Sequence, residues 1–401
     1  VSQKYPGGII SKTAPTVVGP TGGEGGSASG VWTMDQAEYY IAQGLWPLPI
    51  KAGGLWSWGT NLYGQLGLNN TTYYSSPKQI GSITTWKYIS SGTNFGLSVK
   101  LDGTLWSWGR NNSGQLGLGN TTNYSSPKQV GALTNWASIA GGEVYSVAIK
   151  TDGTLWSWGV NSSGQLGLGN TTSYSSPKQV GALTNWKSIS NGSGFSLATK
   201  TDGTLWSWGN NSQGQLGLGN TTKYSSPKQV GALTNWITIA GGGYASFAIK
   251  TDGTLWSWGR NSVGQLGQNN TTYYSSPKQV GALTNWLNIS SGGYHCLAVK
   301  TNNTLWSWGD NTSGQLGLNN RTVYSSPKQV GALTNWRTTS SGSASSFAIG
   351  TSNALWAWGA NSFGELGLGN RTYYSSPKQV GALTNWYAIS ANFRALLTVQ
   401  I

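Results

Sequence analysis

A 50-residue unit repeats seven times without insertion or deletion, filling residues 52–401 and leaving 51 residues ahead of it. A period of that length sets aside a division into two or three ordinary domains. Each copy is one supersecondary unit that buries its apolar surface only by stacking on its neighbours. One copy reads Leu105-Trp106-Ser107-Trp108-Gly109, a variable quartet, Gly114-Gln115-Leu116-Gly117, Asn120-Thr121-Thr122, Ser125-Ser126-Pro127-Lys128-Gln129-Val130 and Gly131-Ala132-Leu133-Thr134-Asn135-Trp136, and closes through Ile139, Gly142 and Ser146 to Thr154.

Asp152-Gly153 lies between two short runs of β-formers, the strongest local hairpin signal in the unit. Strands are expected at 136–140 (A), 146–150 (B), 154–159 (C) and 177–180 (D), with Pro177 opening an outer edge strand that can spare an N–H. Every connection is turn-rich and no 3.6-residue period appears, which describes a four-stranded antiparallel blade. Trp106 and Trp108 point to one face and Leu105 to the other, so both faces need neighbours. The expected fold is all-β: a seven-bladed propeller, which also removes free sheet edges. An open solenoid is the rival, but solenoids need atypical end caps. The phase of the copies predicts how the ring closes. Residues 54–80 supply two outer strands of one blade, and 385–401 supply its two inner strands.

The run Trp-x-x-Ile-x-x-Gly, an apolar strand, then Asp-Gly-Thr-Leu-Trp-x-Trp-Gly-x-Asn-x-x-Gly-Gln-Leu-Gly resembles the repeat of the regulator of chromosome condensation family across 52–401. The resemblance implies a seven-bladed propeller, and His295 matches a histidine frequent at that strand of the family. The founder's guanine-nucleotide exchange activity does not carry over, because it depends on a wedge inserted in one blade and no blade here has an insertion. Kelch repeats share the period but lack the motif, and would give the same architecture.

Residues 1–51 read as a mostly irregular tether. A Gly- and Ser-rich stretch at 21–30 has linker composition, and Thr33-Met34-Asp35-Gln36 has capping-box form ahead of a short helix near 34–43 that Gly44 and Pro47 stop. The pattern Ser29-Gly30-Val31-Trp32-Thr33 with Gly44-Leu45-Trp46-Pro47 resembles N-terminal segments of tailed-phage virion proteins, especially of marine phages. It implies a virion protein assembled in the host cytoplasm and attached to other virion proteins through this segment. No basic stretch precedes an apolar core, and no apolar run approaches the ~18 residues of a span, so neither a secretory signal nor membrane insertion is expected.

Chemistry-bearing residues are scarce. Cys296 is the single cysteine and His295 the single histidine, which excludes an internal disulfide framework, a multi-cysteine metal site and a two-histidine metal site. Their side chains leave a strand on opposite faces and make a poor Cys/His dyad. Asp102, Asp152, Asp202 and Asp252 sit in hairpins and are expected to serve turn geometry, as Asn120 and its equivalents are expected to serve Asx turns. Gly-Gln-Leu-Gly-Leu-Gly lacks the Lys-Ser/Thr and helix of a phosphate loop. No catalytic residue, metal or cofactor is expected, and the chain is read as a non-enzyme. The formal charge of +14 points weakly toward anionic partners, and the lysine of Pro-Lys-Gln, once per copy, supplies half of it. Without interleaved aromatics those lysines read as a solvated outer strand, and nucleic acid is not the expected partner.

Differences among the copies are more informative. B–C turns and D–A connections are nearly constant, whereas the A–B turns and C–D loops of the opposite face vary. Arg110 and Arg260 open variable quartets and Tyr63 lies in another. The A–B turns bring Phe95, Tyr145, Phe195, Tyr244, Tyr294, His295, Phe393 and Arg394. An aromatic and arginine rim on a rigid ring has the composition of a binding face, although drift at exposed positions gives the same variation. The expected function is a phage structural protein, a tail-fibre or head-fibre component, holding host-surface polysaccharide or envelope protein at this rim. The alternative is a capsid or tail decoration protein with no receptor.

Overall fold

The computed structural model describes residues 52–391 and 394–401. The helix near 34–43 and the tether lie outside the described residues. Residues 52–401 form one compact unit of seven separate four-stranded antiparallel sheets. Its 28 strands, β1 to β28 in chain order, are the blades of a propeller. In the first uninterrupted blade, β3 (Trp86–Gly92), β4 (Phe95–Lys100), β5 (Leu105–Gly109) and β6 (Tyr124–Gln129) occupy positions A to D from the axis outward.

Strands A to C fall within a residue of their expected bounds, but D begins earlier, at Tyr174 rather than 177. Its pairing with C is irregular between Tyr174 and Lys178. Pro177 therefore sits inside a register break, where its missing N–H costs nothing, rather than at the strand's start. An Asp-Gly pair can place both residues at positive φ, but here only the glycine does so. The Gly103 N–H bonds the Lys100 carbonyl at 3.0 Å, and Gly103 alone is left-handed, at φ +75°, with Asp102 in an ordinary conformation. That is a tight turn followed by a glycine bulge. A Cβ on Gly103 would lie 2.0 Å from the Thr134 carbonyl oxygen, because this hairpin also receives the Trp136 N–H of the next blade.

The ring closes as the phase predicts. β2 (Tyr74–Gln79) and β1 (Gly54–Gly59) form the outer half of one blade, and β28 (Ala395–Gln400) and β27 (Trp386–Ala391) the inner half. β1 and β28 pair without interruption from Gly54 opposite Gln400 to Gly59 opposite Ala395.

Packing lies between blades. Leu105 joins Trp136 and Trp158 of the following blade. Trp106 and Trp108 join Leu55, Ile80 and Val399 of the preceding one. Trp86 stands edge-on to both, with centroids 6.0 and 6.4 Å away. Lys100 lays its ammonium 3.7 Å from the Trp106 ring centroid, and burial lowers its pKa. The indole Nε1 of Trp108 donates to the backbone carbonyl of Gln65 in the preceding blade at 3.0 Å. The same bond recurs at all seven interfaces.

Candidate functional site

Each C–D loop starts by donating its N–H to the A–B turn of its own blade, as Arg110 does to the Asn94 carbonyl at 2.9 Å and Arg260 to that of Tyr244 at 2.9 Å. The variable segments therefore share one face. At its centre the mouth of the axial channel forms a cavity of about 430 Å³, lined by turn glycines and by Ser91, Asn191, Ser341, Glu143, Tyr244 and Tyr294. Inner strands are tied around this mouth by side chains that reach a neighbouring blade's backbone, Ser90 Oγ accepting the Gly141 N–H of the following blade at 2.9 Å and Asn191 Nδ2 donating to the Ala140 carbonyl of the preceding one at 2.8 Å.

Of the residues expected on the rim, three meet at one point. The Arg260 guanidinium lies 4.9 Å from the Tyr294 ring centroid and 5.9 Å from that of Tyr244. Its Nη1 donates to the Tyr294 hydroxyl at 3.2 Å and its Nε to Ser262 Oγ at 3.1 Å. A planar cation thus holds two tyrosines from adjacent blades at the mouth. Arg110 covers Tyr63 at 5.2 Å. Arg394 covers Phe363, which the sequence reading did not single out, at 4.6 Å. Phe393 lies outside the described residues.

Phe95, Tyr145, Phe195 and His295 do not belong to the rim. Each is fully buried as the first residue of strand B, paired opposite the glycine that ends strand C. Their rings fill the space above a glycine three positions earlier. A Cβ on Gly92 would lie 1.9 Å from the Phe95 ring, and one on Gly142 2.1 Å from that of Tyr145. The turn position that reaches the surface is one residue earlier: Asn94, Val144, Gly194 and Tyr244 are half-buried and Tyr294 is exposed. The Gly-x-x-aromatic spacing is the sequence signal for this inward register. Tyr145 donates to the Phe195 carbonyl of the next blade, and burial raises its pKa.

His295 and Cys296 point apart, as strand geometry requires. His295 Nε2 meets Ser346 Oγ of the next blade at 2.9 Å, while Cys296 Sγ faces the Gln265 carbonyl of the preceding blade at 3.4 Å. Burial lowers the histidine to about 4 and raises the thiol. A buried neutral histidine has a consequence for stability. The unfolded chain binds a proton near the ordinary value of about 6.5, so stability falls as pH drops from there toward 4, by up to about 3 kcal/mol. Phe occupies the equivalent position twice, so His295→Phe should retain the fold and flatten this slope. Melting temperatures of the two proteins should diverge progressively below pH 6.5, and parallel pH curves would exclude a buried neutral histidine.

The remaining candidates serve the scaffold. Asp102 Oδ1 accepts the Thr104 N–H and hydroxyl at 2.9 and 2.6 Å, which holds its carboxyl below the usual range. Thr104 Oγ1 in turn accepts from Trp106 Nε1. Asn120 Oδ1 accepts the Thr122 N–H at 3.0 Å, the expected Asx turn. Gln115 supplies its backbone carbonyl to Trp158 Nε1 and Ser146 Oγ, so the Gly-Gln-Leu-Gly run locks blades together. Glu365 takes the place that glutamine holds in the other six copies, and its Oε2 accepts the Phe363 N–H at 2.7 Å. Burial raises this carboxyl, against the pull of Arg394 and Arg371.

Residues 175–396 match the RCC1-like domain, and residues 52–99 and 102–149 match the regulator of chromosome condensation (RCC1) repeat. Among solved structures, Prp20p from Saccharomyces cerevisiae is similar at 20% identity with a TM-score of 0.79, over 91% of this chain and 95% of that one. Human WBSCR16 is similar at 20% identity and a TM-score of 0.78, over 87% of this chain and all of that one. No curated protein matches the sequence.

Proposed function

Because the chain belongs to the RCC1 repeat family and concentrates its variation on one face of the ring, we propose that it is a recognition module whose ligand seat is the channel mouth with Tyr244, Tyr294 and Arg260. The single observation that carries this reading is the clamp itself. Arg260 fixes two tyrosine rings beside a cavity whose volume lies within the ~300–1,000 Å³ typical of small-ligand sites. Rings held by a cation lose little freedom on binding, and an aromatic face beside hydroxyls and backbone groups suits a hydroxyl-rich ligand. The ligand class proposed is a host-surface glycan.

The same reading has the module carried on a tailed-phage particle and joined to other virion proteins through residues 1–51. Its support is the resemblance of the Ser29 to Pro47 segment to virion proteins. Binding of the 401-residue protein to an oligosaccharide array tests the seat. A defined subset should bind, and Tyr294→Ala and Arg260→Ala should each weaken it about tenfold, the scale of one lost stacking contact. Absence of glycan binding, or clamp variants that bind as the parent does, would leave the decoration role in its place. Deletion of residues 1–51 should abolish co-purification with particles, and retention of the propeller would refute the tether.

A further inference from the structure

The net charge of this protein is not spread over it. Residues 1–51 hold three cationic and three acidic side chains, so the entire +14 belongs to the propeller. On the variable face Arg110, Arg260 and Arg394 are matched by Glu143, Asp310 and Glu365. Asp102, Asp152, Asp202 and Asp252 each follow the last strand-B lysine of their own hairpin by two residues, at Lys100, Lys150, Lys200 and Lys250. Those seven are all the acids of the propeller. The outermost strands and the three residues leading into each carry ten cations and no acid: the lysine of every Pro-Lys-Gln, with Lys223, Arg321 and Arg371.

Every one of the seven lysines is exposed and set in the same way. Lys78 Nζ lies 5.4 Å from the ring centroid of Tyr74 on its own strand. The other six repeat this at 5.4 to 5.6 Å. The sequence reading found no aromatics among these lysines; the structure supplies one per blade, four residues earlier. Each tyrosine hydroxyl is in turn held by the asparagine of the Asx turn, as Tyr124 is by Asn120 Nδ2 at 3.2 Å. The result is a circumferential belt of ammonium groups at fixed angular intervals, with no carboxylate on the outer strands to neutralise it.

We propose that this outer wall is a second interaction surface, separate from the mouth, that takes a linear acidic polysaccharide laid along the circumference. The inference stands whether or not the mouth binds a glycan. Lysine ammonium groups act as point charges and make no bidentate demand, so a flexible chain with one carboxylate per sugar satisfies them in many registers. Nucleic acid fits less well. The strand tyrosines are half-buried, capped by lysine and held at their hydroxyls, and the exposed rings beside them, Tyr273 and Tyr373, stand on two blades alone, too few to stack a run of bases. Such a surface raises the local concentration of an anionic partner and speeds encounter while adding little selectivity.

The test uses the full chain with polygalacturonate, neutral dextran and double-stranded DNA as probes. Polygalacturonate should bind and dextran should not, with affinity falling about tenfold or more between about 50 and 200 mM salt. Replacing all seven lysines by glutamine should cost about thirtyfold or more, whereas the sevenfold Lys→Arg variant should bind as the parent does. If the glutamine variant does not fold, the fourfold K78Q, K128Q, K178Q, K228Q protein should still lose about fivefold. Tyr294→Ala should leave polygalacturonate binding unchanged while altering any oligosaccharide binding at the mouth, so the two sites fail separately. Retained affinity without the lysines overturns the belt, and DNA bound more tightly than polygalacturonate at equal charge overturns the polysaccharide.

Discussion

Deleting residues 395–401 should open the ring, with loss of the single cooperative unfolding transition. β28 is hydrogen-bonded on both sides, to β1 at the start of the propeller and to β27 at its end. Without it the N-terminal half-blade has nothing to pair with, and β1 and β27 gain unpaired edges in addition to the outer edge that every blade already carries. Leu396, Leu397 and Val399 are buried, and at ~1.5–3 kcal/mol each their loss removes about 5–9 kcal/mol. That approaches the whole of an ordinary domain's stability of roughly 5–15 kcal/mol. Calorimetry and size-exclusion chromatography read the outcome. A broadened, multi-step transition with association through the exposed strands is expected. A truncated protein that melts sharply and as a monomer near the parent's temperature would show that closure contributes little.

The second large effect separates two tryptophans that the sequence presents as equals. Trp108 is wholly buried and donates across the blade interface, whereas Trp106 is partly exposed and bonds only Thr104 within its own hairpin. Trp108→Ala should destabilise by about 3–5 kcal/mol through cavity formation and the orphaned Gln65 carbonyl. Trp106→Ala should cost about half as much, part of it from releasing Lys100. Trp108→Phe keeps most of the volume and drops the donor, so its cost, about 1–2 kcal/mol, isolates the bond. Equal destabilisation by the two alanine variants, measured by denaturant unfolding, would contradict the interface assignment.

The architecture was legible because the repeat's chemistry is local and periodic. Trp106 and Trp108 on one face and Leu105 on the other already require two neighbours per blade, and the phase at Gly54 and Ile401 already requires β1 to pair with β28. The site was half legible. Arg260, Tyr244 and Tyr294 vary among copies and reach the surface, the first two half-buried and Tyr294 exposed, but variation does not distinguish a turn residue from the strand residue after it. Phe95, Tyr145, Phe195 and His295 are one position further along and turn inward, because strand B alternates from its first residue and a glycine three positions earlier leaves room for the ring. Phe363 and the Lys78 to Tyr74 contact were missed for a different reason. Both depend on where a loop or a register break in the outer strand places a side chain, and no alternation records that.

At every interface the acceptor of the indole bond is a main-chain oxygen, and the donor sits in the following copy. Exchange of side chain at the acceptor residue leaves the bond intact: Glu365 stands where the others have glutamine, and Trp58 still reaches its carbonyl at 2.9 Å. Each copy thus brings its own plug and its own socket. Copies inherit the means of joining independently of what their loops display, so recombination within the gene can reorder or exchange 50-residue cassettes and redraw the rim in single steps, with the ring's assembly rules untouched.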